Sequence, residues 1–454
     1  MDDNYFWSFS EEYLGHIAVV TENGIAVDYA QLDRDINLYV SLLPKQRTLV
    51  FLFISNTYKD LLWYLSCLRA GHPTLVIDKG VDQKLVTALL EKYSPNVLVD
   101  DAVTILHEVE YDMHPDLAVL ISTSGTTGTP KLVKLSKVNL NSNAKSIASY
   151  LKLTAEDTAI TTLPMSYSFG LSVLHSHLAV GATVVLNEQP IMSREFWQKV
   201  ENFKVTSFSG VPFTFQMLKK LKYQRFKTDT IRYVAQAGGK LDDETLSYFC
   251  DVCKELGQEF YVMYGQTEAS PRISYLPFEQ LESKIGSIGI AIPGGSLEIY
   301  AESEKVNSPR TEGEIVYKGP NVMMGYAESV VDLALGDINS GELLTGDLGF
   351  FDEDGYFYIT GRAKRFIKLF GLRINLDAID SWLMSRQIEA VSTGNDEKLV
   401  VFFTGKIDAV SIKQELVTEY KLNANYVIFQ GINEIPRKNG GKIDFKPLNI
   451  LAGI

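Results

Sequence analysis

Cysteine is scarce in this chain, which has only Cys67, Cys250 and Cys253 among its 454 residues. Three cysteines cannot build a disulfide framework, so the disulfide-rich secreted classes are excluded and a reducing cytoplasm is favoured. Cys250 and Cys253 form a C-x-x-C pair, but the sequence offers neither a second pair for zinc nor a thioredoxin-like context. We interpret both as structural residues of a helix.

Positive charge is also in short supply. The 56 acidic residues outnumber the 43 lysines and arginines, the formal charge is −13 at pH 7, and no basic stripe is visible. This balance argues against nucleic acid and against an anionic membrane surface as partners. No basic-then-apolar leader opens the sequence, and no apolar run has the length of a bilayer span, so we expect no membrane partner.

What the sequence does contain is a regular alternation of apolar runs and amphipathic segments between residues 48 and 263. This alternation indicates an α/β fold with mostly parallel sheets. The predicted strands are 49–54, 74–77, 96–99, 117–121, 158–162, 182–186, 205–209, 232–236 and 259–263, and the predicted helices are 58–70, 82–93, 139–151, 171–180, 193–203, 213–222 and 242–256.

The chain is too long for one hydrophobic core and predicts more than one domain. Residues 1–361 are expected to form a large N-terminal domain, with a β-rich subdomain at about 285–360. A hinge is expected at 362–366, followed by a small mobile α+β domain at 367–454 that ends in a polar tail.

One stretch stands out chemically: residues 122–131, STSGTTGTPK, directly after the predicted strand 117–121. Eight of its ten residues are Ser, Thr or Gly. Such a loop presents N–H groups and hydroxyls to an anion without obstructing Cβ atoms, and Lys131 adds a positive charge. Its spacing is not that of the common P-loop. We interpret it as a phosphate-binding loop rather than a flexible linker, because ligands of parallel sheets bind beyond the carboxyl ends of the strands.

Four later clusters carry polar groups suited to a nucleotide. Residues 264–268, YGQTE, combine an aromatic ring with Glu268, a candidate ligand for phosphate-bound Mg²⁺. Asp347 lies between two glycines and suits a ribose diol, although an aspartate in a turn is the plain alternative. Residues 361–371 carry four cations, for which a solvated face is the alternative. Lys442 lies on a glycine-rich loop, from which a lysine can stabilise developing negative charge.

In this order the clusters resemble those of the acyl-adenylate-forming superfamily, which includes acyl- and aryl-CoA synthetases, firefly luciferase and the adenylation domains of peptide synthetases. The resemblance covers essentially the whole chain. It implies that a carboxylate attacks the α-phosphorus of ATP, with Mg²⁺ present, to give acyl-AMP and pyrophosphate. The acyl group then passes to a thiol, of CoA or of a carrier-protein phosphopantetheine.

The resemblance also implies a role for individual residues. Tyr264 and Gly265 would pack on adenine, beside Gly238 and Gly239, and Thr267 would contact phosphate next to the metal ligand Glu268. The β- and γ-phosphates would be held by Thr123, Ser124, Gly125, Thr126, Thr127, Gly128 and Lys131.

Further implied roles fall in the C-terminal third of the chain. Asp347 and Arg362 would bind the ribose hydroxyls. Lys442 would be catalytic, bridging the acyl carboxylate and the α-phosphate, and Thr267 and Glu268 would assist catalysis. Lys364 would be the hinge residue, and Gly371 would lie beside the pantetheine tunnel.

The acyl pocket is expected to be apolar or aromatic and to include Tyr167, Phe169, Gly170, Val211 and Pro212, with packing in the core as the alternative for some of the aromatic residues. In amino-acid-activating members the position matching Gly170 is commonly Asp, so an uncharged residue there disfavours an α-amino acid as substrate. We therefore expect a small or medium carboxylic acid. The thiol step is less secure, because segment 389–400 looks shortened relative to larger members. Transfer to an acyl carrier protein and a catalytically idle nucleotide-binding subunit remain as alternatives, and the oligomeric state stays open.

Overall fold

The computed structural model describes residues 5–122, 131–226, 229–302, 304–362, 365–369, 372–395, 397–420, 422–437 and 443–454. In chain order, the strands are β1 (Ile17–Val20), β2 (Ala26–Asp28), β3 (Val50–Ile54), β4 (Thr74–Asp78), β5 (Val97–Asp100), β6 (Ala102–Ile105), β7 (Leu117–Ser122), β8 (Leu132–Ser136), β9 (Thr158–Ile160), β10 (Thr183–Val185), β11 (Ser207–Gly210), β12 (Tyr233–Gln236), β13 (Glu259–Gly265), β14 (Arg272–Leu276), β15 (Ile290–Ala291), β16 (Ser296–Ala301), β17 (Glu304–Val306), β18 (Gly313–Lys318), β19 (Gly325–Ala327), β20 (Glu342–Phe351), β21 (Phe357–Arg362), β22 (Phe366–Leu369), β23 (Leu372–Asn375), β24 (Ala390–Gly394), β25 (Leu399–Phe403) and β26 (Val427–Gly431).

Helices alternate with these strands through most of the chain. They are α1 (Tyr29–Val40), α2 (Tyr58–Ala70), α3 (Gln83–Tyr93), α4 (Lys137–Tyr150), α5 (Ser168–Leu178), α6 (Arg194–Asn202), α7 (Pro212–Lys220), α8 (Asp243–Glu255), α9 (Leu376–Met384), α10 (Ala409–Glu419) and α11 (Phe445–Ala452).

The chain divides into two compact units. Unit 1 consists of Met1–Leu297 and Tyr317–Leu343, and unit 2 consists of Glu298–Val316 and Leu344–Ile454. The β-rich subdomain predicted at about 285–360 is thus divided between the two units, whereas the sequence places it in the large domain. The hinge predicted at 362–366 includes residues 363–364, which lie outside the described part, and it stays a prediction.

Unit 1 is built on two large sheets. The first has the strand order β15-β14-β13-β12-β11-β9-β10-β1-β2, and the second has the order β19-β8-β7-β4-β3-β5-β6. Their central strands pair in parallel, and antiparallel strands complete the edges. The predicted α/β fold is therefore confirmed. Strands such as β3, with the sequence VFLFI, are buried on both faces, as parallel strands covered by helices must be.

Local signals explain why several helices match their prediction. Helix α2 begins after Thr57, whose hydroxyl accepts a hydrogen bond from the Asp60 N–H, and it ends at Gly71 in the left-handed region at φ 77°. The N-terminal residues form β1, β2 and α1, because β1 pairs in parallel with β10 and thereby extends a sheet most of whose other strands come much later.

Unit 2 contains three smaller sheets, with the strand orders β17-β16-β18-β20-β21, β22-β23 and β24-β25-β26. The polar tail predicted at the C-terminus is wrong, since α11 occupies it. Asp444 caps this helix, and its Leu448 is fully buried in a cluster with Val391 and Phe402. Segment 389–400, interpreted as shortened loops, holds β24 and its turn into β25.

The scarce residues behave as structural ones. Cys250 is partly buried and Cys253 is buried, and burial raises the pKa of the Cys253 thiol to about 12. Within the described part of the chain, none of the helices combines the length and apolarity needed to cross a bilayer.

Candidate active site

The candidate phosphate loop connects two neighbouring strands. Strand β7 ends at Ser122, β8 begins at Leu132, and these two residues pair across the antiparallel ladder. The predicted contacts Thr123, Ser124, Gly125, Thr126, Thr127 and Gly128 lie outside the described residues. Both flanking strands are buried, so the ends of the loop are held by the sheet.

Lys131 lies at the end of this loop and is exposed. Its Nζ is 2.6 Å from Oε1 of Glu328 and 5.8 Å from the centre of the Tyr326 ring. About half of each charged side chain is exposed, 46% for Lys131 and 59% for Glu328. Because an exposed ion pair contributes little free energy, Lys131 can exchange Glu328 for a phosphate oxygen at low cost.

Glu268 follows β13, in the short 3₁₀ turn Thr267–Ala269. Its Oε1 accepts a 2.8 Å hydrogen bond from the Tyr326 hydroxyl, and its backbone carbonyl accepts another from the Met323 N–H. Tyr326 therefore lies between Lys131 and Glu268. The structure brings these two predicted site residues together through a tyrosine that the sequence does not predict.

Strand β19 explains how Tyr326 reaches this position. It pairs antiparallel with β8, and the pair Tyr326–Val133 places the ring next to the end of the phosphate loop. Glu328 follows the same strand. Tyr326 and Glu328 both contact Lys131, which lies almost two hundred residues earlier in the chain. For this reason neither residue belongs to a motif that local sequence reasoning singles out.

The other residues of the YGQTE cluster are tightly placed. The Thr267 Oγ1 is 3.1 Å from Ser168 Oγ at the start of α5, and the Gln266 amide donates to the Tyr264 hydroxyl at 3.1 Å. A Cβ on Gly265 would lie 1.8 Å from the carbonyl oxygen of Pro271, so only glycine fits there. Tyr264 is half-buried and presents part of its ring to solvent.

The glycine pair after β12 lies against three predicted pocket residues. Gly238 has φ 87°, and a Cβ there would lie 3.2 Å from both the Tyr167 hydroxyl and Val211 Cγ1. A Cβ on Gly239 would lie 3.2 Å from Pro212 Cγ. Tyr167, Val211 and Pro212 therefore surround the segment that is predicted to run past the adenine.

Gly170 lies inside α5 with no room for a side chain. A Cβ at this position would lie 2.2 Å from the backbone oxygen of Pro164. Packing of the helix against residues 163–164 is therefore sufficient to require glycine, independently of any substrate. The neighbouring Phe169 is buried, as expected for a residue lining an internal pocket.

Arg272 is a further charged residue of this region that the sequence does not predict. It is 3% exposed, lies on β14, and its guanidinium carbon is 4.0 Å from the centre of the Phe169 ring. Burial lowers the pKa of the guanidinium. The only hint in the sequence is an arginine in an otherwise apolar strand.

In unit 2, Asp347 and Arg362 form an ion pair. They face each other on β20 and β21, with Nε of Arg362 3.0 Å from Oδ1 of Asp347. The Asp347 side chain is 3% exposed and that of Arg362 is 65% exposed. Asp347 thus lies in a strand rather than in a turn, with a mobile cation beside it.

The cation-rich segment 361–371 is not uniformly solvated. Arg365 forms ion pairs with Asp377 and Asp380 and donates to the Ser392 carbonyl at 2.7 Å. The predicted hinge residue Lys364, the tunnel residue Gly371 and the catalytic lysine Lys442 lie outside the described residues.

The environment of Glu268 fits a phosphate-bound Mg²⁺. This ion is normally held by one or two carboxylates together with substrate phosphates and water, and the partly exposed Glu268 supplies one carboxylate beside Lys131. In the described part of the chain, no group of three or more His, Cys, Asp or Glu side chains forms a separate metal site.

Comparisons with known proteins show the family. The family model described as "AMP-binding enzyme" matches residues 6–327. The chain is 31% identical to an oxalate–CoA ligase of Arabidopsis thaliana over 70% of this chain and 60% of that protein. It is 29% identical to a 2-succinylbenzoate–CoA ligase of Bacillus subtilis over 82% of this chain and 77% of that protein.

A solved structure shows the same fold. The O-succinylbenzoate coenzyme A synthetase of Bacillus subtilis, in complex with AMP, superimposes with a TM-score of 0.79 at 24% identity. The superposition covers 94% of each chain.

Proposed function

This chain belongs to the AMP-binding enzyme family, and from that premise we propose that it is an AMP-forming acid–thiol ligase. It activates a small or medium carboxylic acid with ATP to acyl-AMP, releases pyrophosphate, and transfers the acyl group to CoA. The observation that carries this proposal is the connected set of Lys131, Tyr326 and Glu268 at the end of the phosphate loop. It supplies a cation for phosphate and a carboxylate for its metal ion in one place.

In the adenylation step, two anions have to approach each other. Lys131 and the loop residues bind the β- and γ-phosphates, which become the leaving group. Glu268 would hold Mg²⁺, which would neutralise charge on those phosphates. Lys442 stabilises the negative charge that develops as the carboxylate oxygen approaches the α-phosphorus, as preorganised cations do in transition states.

Nucleotide recognition uses a second set of residues. Tyr264 packs on adenine, with Gly265 next to it, and Gly238 and Gly239 allow the base to approach the backbone. In unit 2, Asp347 accepts hydrogen bonds from the ribose hydroxyls. Arg362 assists, since its exposed guanidinium can leave Asp347 and reorient at low cost.

The acceptor is CoA. The similar curated proteins named above are CoA ligases, and so is a 4-hydroxybutyrate–CoA ligase of Metallosphaera sedula, 28% identical over 72% of this chain and 61% of that protein. A thiol of an acyl carrier protein is the second candidate. We also propose a cytoplasmic location, since the three cysteines are free.

The acids in these names differ widely in size and charge, so the names do not select a substrate for this chain. An α-amino acid is disfavoured, because position 170 provides no carboxylate for an ammonium group. Packing alone requires glycine at position 170, so Gly170 leaves the pocket without a carboxylate whatever the substrate is.

A hydroxylamine-trapping screen tests the proposal. The protein is incubated with ATP, Mg²⁺ and a panel of carboxylic acids, and hydroxamate and pyrophosphate are measured, then the assay is repeated with CoA. We expect pyrophosphate release with a subset of acids and CoA-dependent acyl transfer for the same subset. Glu268→Gln is the matched control, with pyrophosphate release reduced at least tenfold. ATP binding without pyrophosphate release for any acid would instead support an idle nucleotide-binding subunit.

A further inference from the structure

Arg272 is a charged side chain that the folded protein buries in unit 1, with no carboxylate partner among the residues that the structure describes. It is 3% exposed, and its Nε has no hydrogen-bond partner among the described residues. The groups that interact with its charge are the phenols of Tyr150, Tyr167 and Tyr233. A buried guanidinium ordinarily occurs together with a carboxylate or carbonyl oxygens, because removing a charge from water is costly.

Arg232 shows what a structural arginine looks like in the same unit. Its guanidinium is 3.0 Å from Asp157 and 3.4 Å from Glu259, and it also donates to the Leu151 carbonyl. Arg232 is more exposed than Arg272 and yet has two carboxylates. The absence of such partners at Arg272, within the part of the chain that the structure describes, marks it as an unusual site.

The aromatic contact of Arg272 does not replace a counter-ion. Its guanidinium lies on the Phe169 ring at 4.0 Å, which is a favourable cation–π geometry. This contact involves the face of the planar guanidinium. It therefore provides no acceptor for the in-plane Nε–H, which has none among the described residues. A planar carboxylate is the acceptor that best matches the edge of a guanidinium.

A small cavity adjoins this group. Its volume is about 10 Å³, and its lining includes Arg272, Ser172, Ser176, Ser209 and Tyr233. The cavity is thus the size of one water molecule, and its lining also includes the apolar residues Ile147, Leu151, Val173 and Met263. Phe169, which carries the guanidinium, is also one of the predicted acyl-pocket residues.

We propose that Arg272 binds a second carboxylate on the acid substrate, so that this ligase activates short dicarboxylic acids. One carboxylate of the substrate reacts with ATP, and the other forms a charge-assisted pair with Arg272 at the far end of the acyl pocket. This inference rests on the proposed function, and it adds the substrate class.

The test compares acids of equal chain length with the wild-type enzyme and three variants. Pyrophosphate release is measured with succinate against butyrate and with glutarate against valerate. We expect wild type to prefer each dicarboxylate at least a hundredfold in kcat/KM. Arg272→Met should lose at least a hundredfold for the dicarboxylates and change less than threefold for the monocarboxylates. Arg272→Lys should retain part of the preference, since it keeps the charge without the planar fork.

Arg232→Met serves as the matched control, because it removes a paired arginine outside the cavity. It should lower activity toward both acids of a pair by the same factor. An unchanged ratio of dicarboxylate to monocarboxylate in Arg272→Met, or equal use of both acids by wild type, would overturn the assignment.

Thermal stabilisation by each acid, in the presence of AMP, separates this inference from the proposed function. Succinate or glutarate should stabilise wild type and not Arg272→Met, while AMP alone stabilises both and thereby shows that the variant folds. If dicarboxylates stabilise wild type in this Arg272-dependent way but no acid releases pyrophosphate, the proposed function is overturned and the Arg272 site stands. If no dicarboxylate stabilises wild type, the Arg272 site is overturned.

Discussion

The hydroxyl of Tyr326 donates a 2.8 Å hydrogen bond to Oε1 of Glu268. The same tyrosine ring lies 5.8 Å below Nζ of Lys131. Burial and the nearby Glu268 raise the pKa of Tyr326, so its hydroxyl remains a proton donor at neutral pH. The carboxylate proposed to hold Mg²⁺ and the lysine proposed to bind phosphate are therefore positioned by one side chain.

Removing only the hydroxyl tests this arrangement. Tyr326→Phe keeps the ring beneath Lys131 and deletes the hydrogen bond to Glu268, which is worth about 1 kcal/mol for a partly exposed pair. We expect the KM for MgATP to rise about fivefold with little change in protein stability. The KM is measured from steady-state pyrophosphate release at varied MgATP concentrations. An unchanged KM would show that Tyr326 does not position Glu268.

The ion pair of Asp347 and Arg362 leads to a prediction about nucleotide affinity. Asp347→Asn removes the charge without changing the size of the buried side chain. We expect AMP to bind about tenfold more weakly, because hydrogen bonds to charged groups contribute about 1.5 kcal/mol or more. Calorimetric titration with AMP measures the affinity. Asp354→Asn, at an exposed position after the same strand, is the control and should bind AMP like wild type.

Lys442 provides a kinetic prediction. Lys442→Ala should slow acyl-adenylate formation by about a hundredfold or more, as expected when one preorganised electrostatic donor is lost. ATP–pyrophosphate exchange measures this half-reaction. Lys446→Ala, at an exposed position of α11, is the control. Near-normal exchange in Lys442→Ala would contradict the proposed catalytic role.

Buried histidines, among them His175 and His177, make stability depend on pH. Burial lowers the pKa of His175 to about 3 and that of His177 to about 4. The unfolded chain binds these protons near pH 6.5 and the folded chain does not, so stability is complete above pH 6.5 and falls as the pH decreases. We expect proton binding to each histidine in the unfolded chain to lower the free energy of unfolding by about 1.5 kcal/mol as the pH falls from 6.5 to 5.

Urea unfolding at pH 6.5 and pH 5 measures this loss. His175→Gln removes one of the two groups and should reduce the pH-dependent loss by about 1.5 kcal/mol, whatever its effect on stability at neutral pH. His16→Gln, at an exposed position, should leave the loss unchanged. A wild-type protein equally stable at both pH values would contradict the prediction.

Much of the fold follows from patterns that are local in the chain. The α/β alternation is confirmed, and α2 spans the predicted residues because its apolar spacing, its Thr57 cap and its Gly71 stop all lie within the same short segment. Strands buried on both faces, such as β7, can be recognised in the sequence as continuous apolar runs. The family is likewise readable from its ordered motifs.

The sequence by itself determined the family, the fold class and the residue types of a nucleotide site, because these depend on short motifs and periodicity. Only the tertiary structure decided which side chains accompany them. Tyr326 reaches Glu268 through the pairing of β19 with β8, and α11 forms because Leu448 finds a buried surface on β24 and β25. Among the described residues, Arg272 is buried with no hydrogen-bond partner at Nε because of the strands and helices packed around it. Contacts of this kind depend on long-range packing, which a single sequence pattern does not encode.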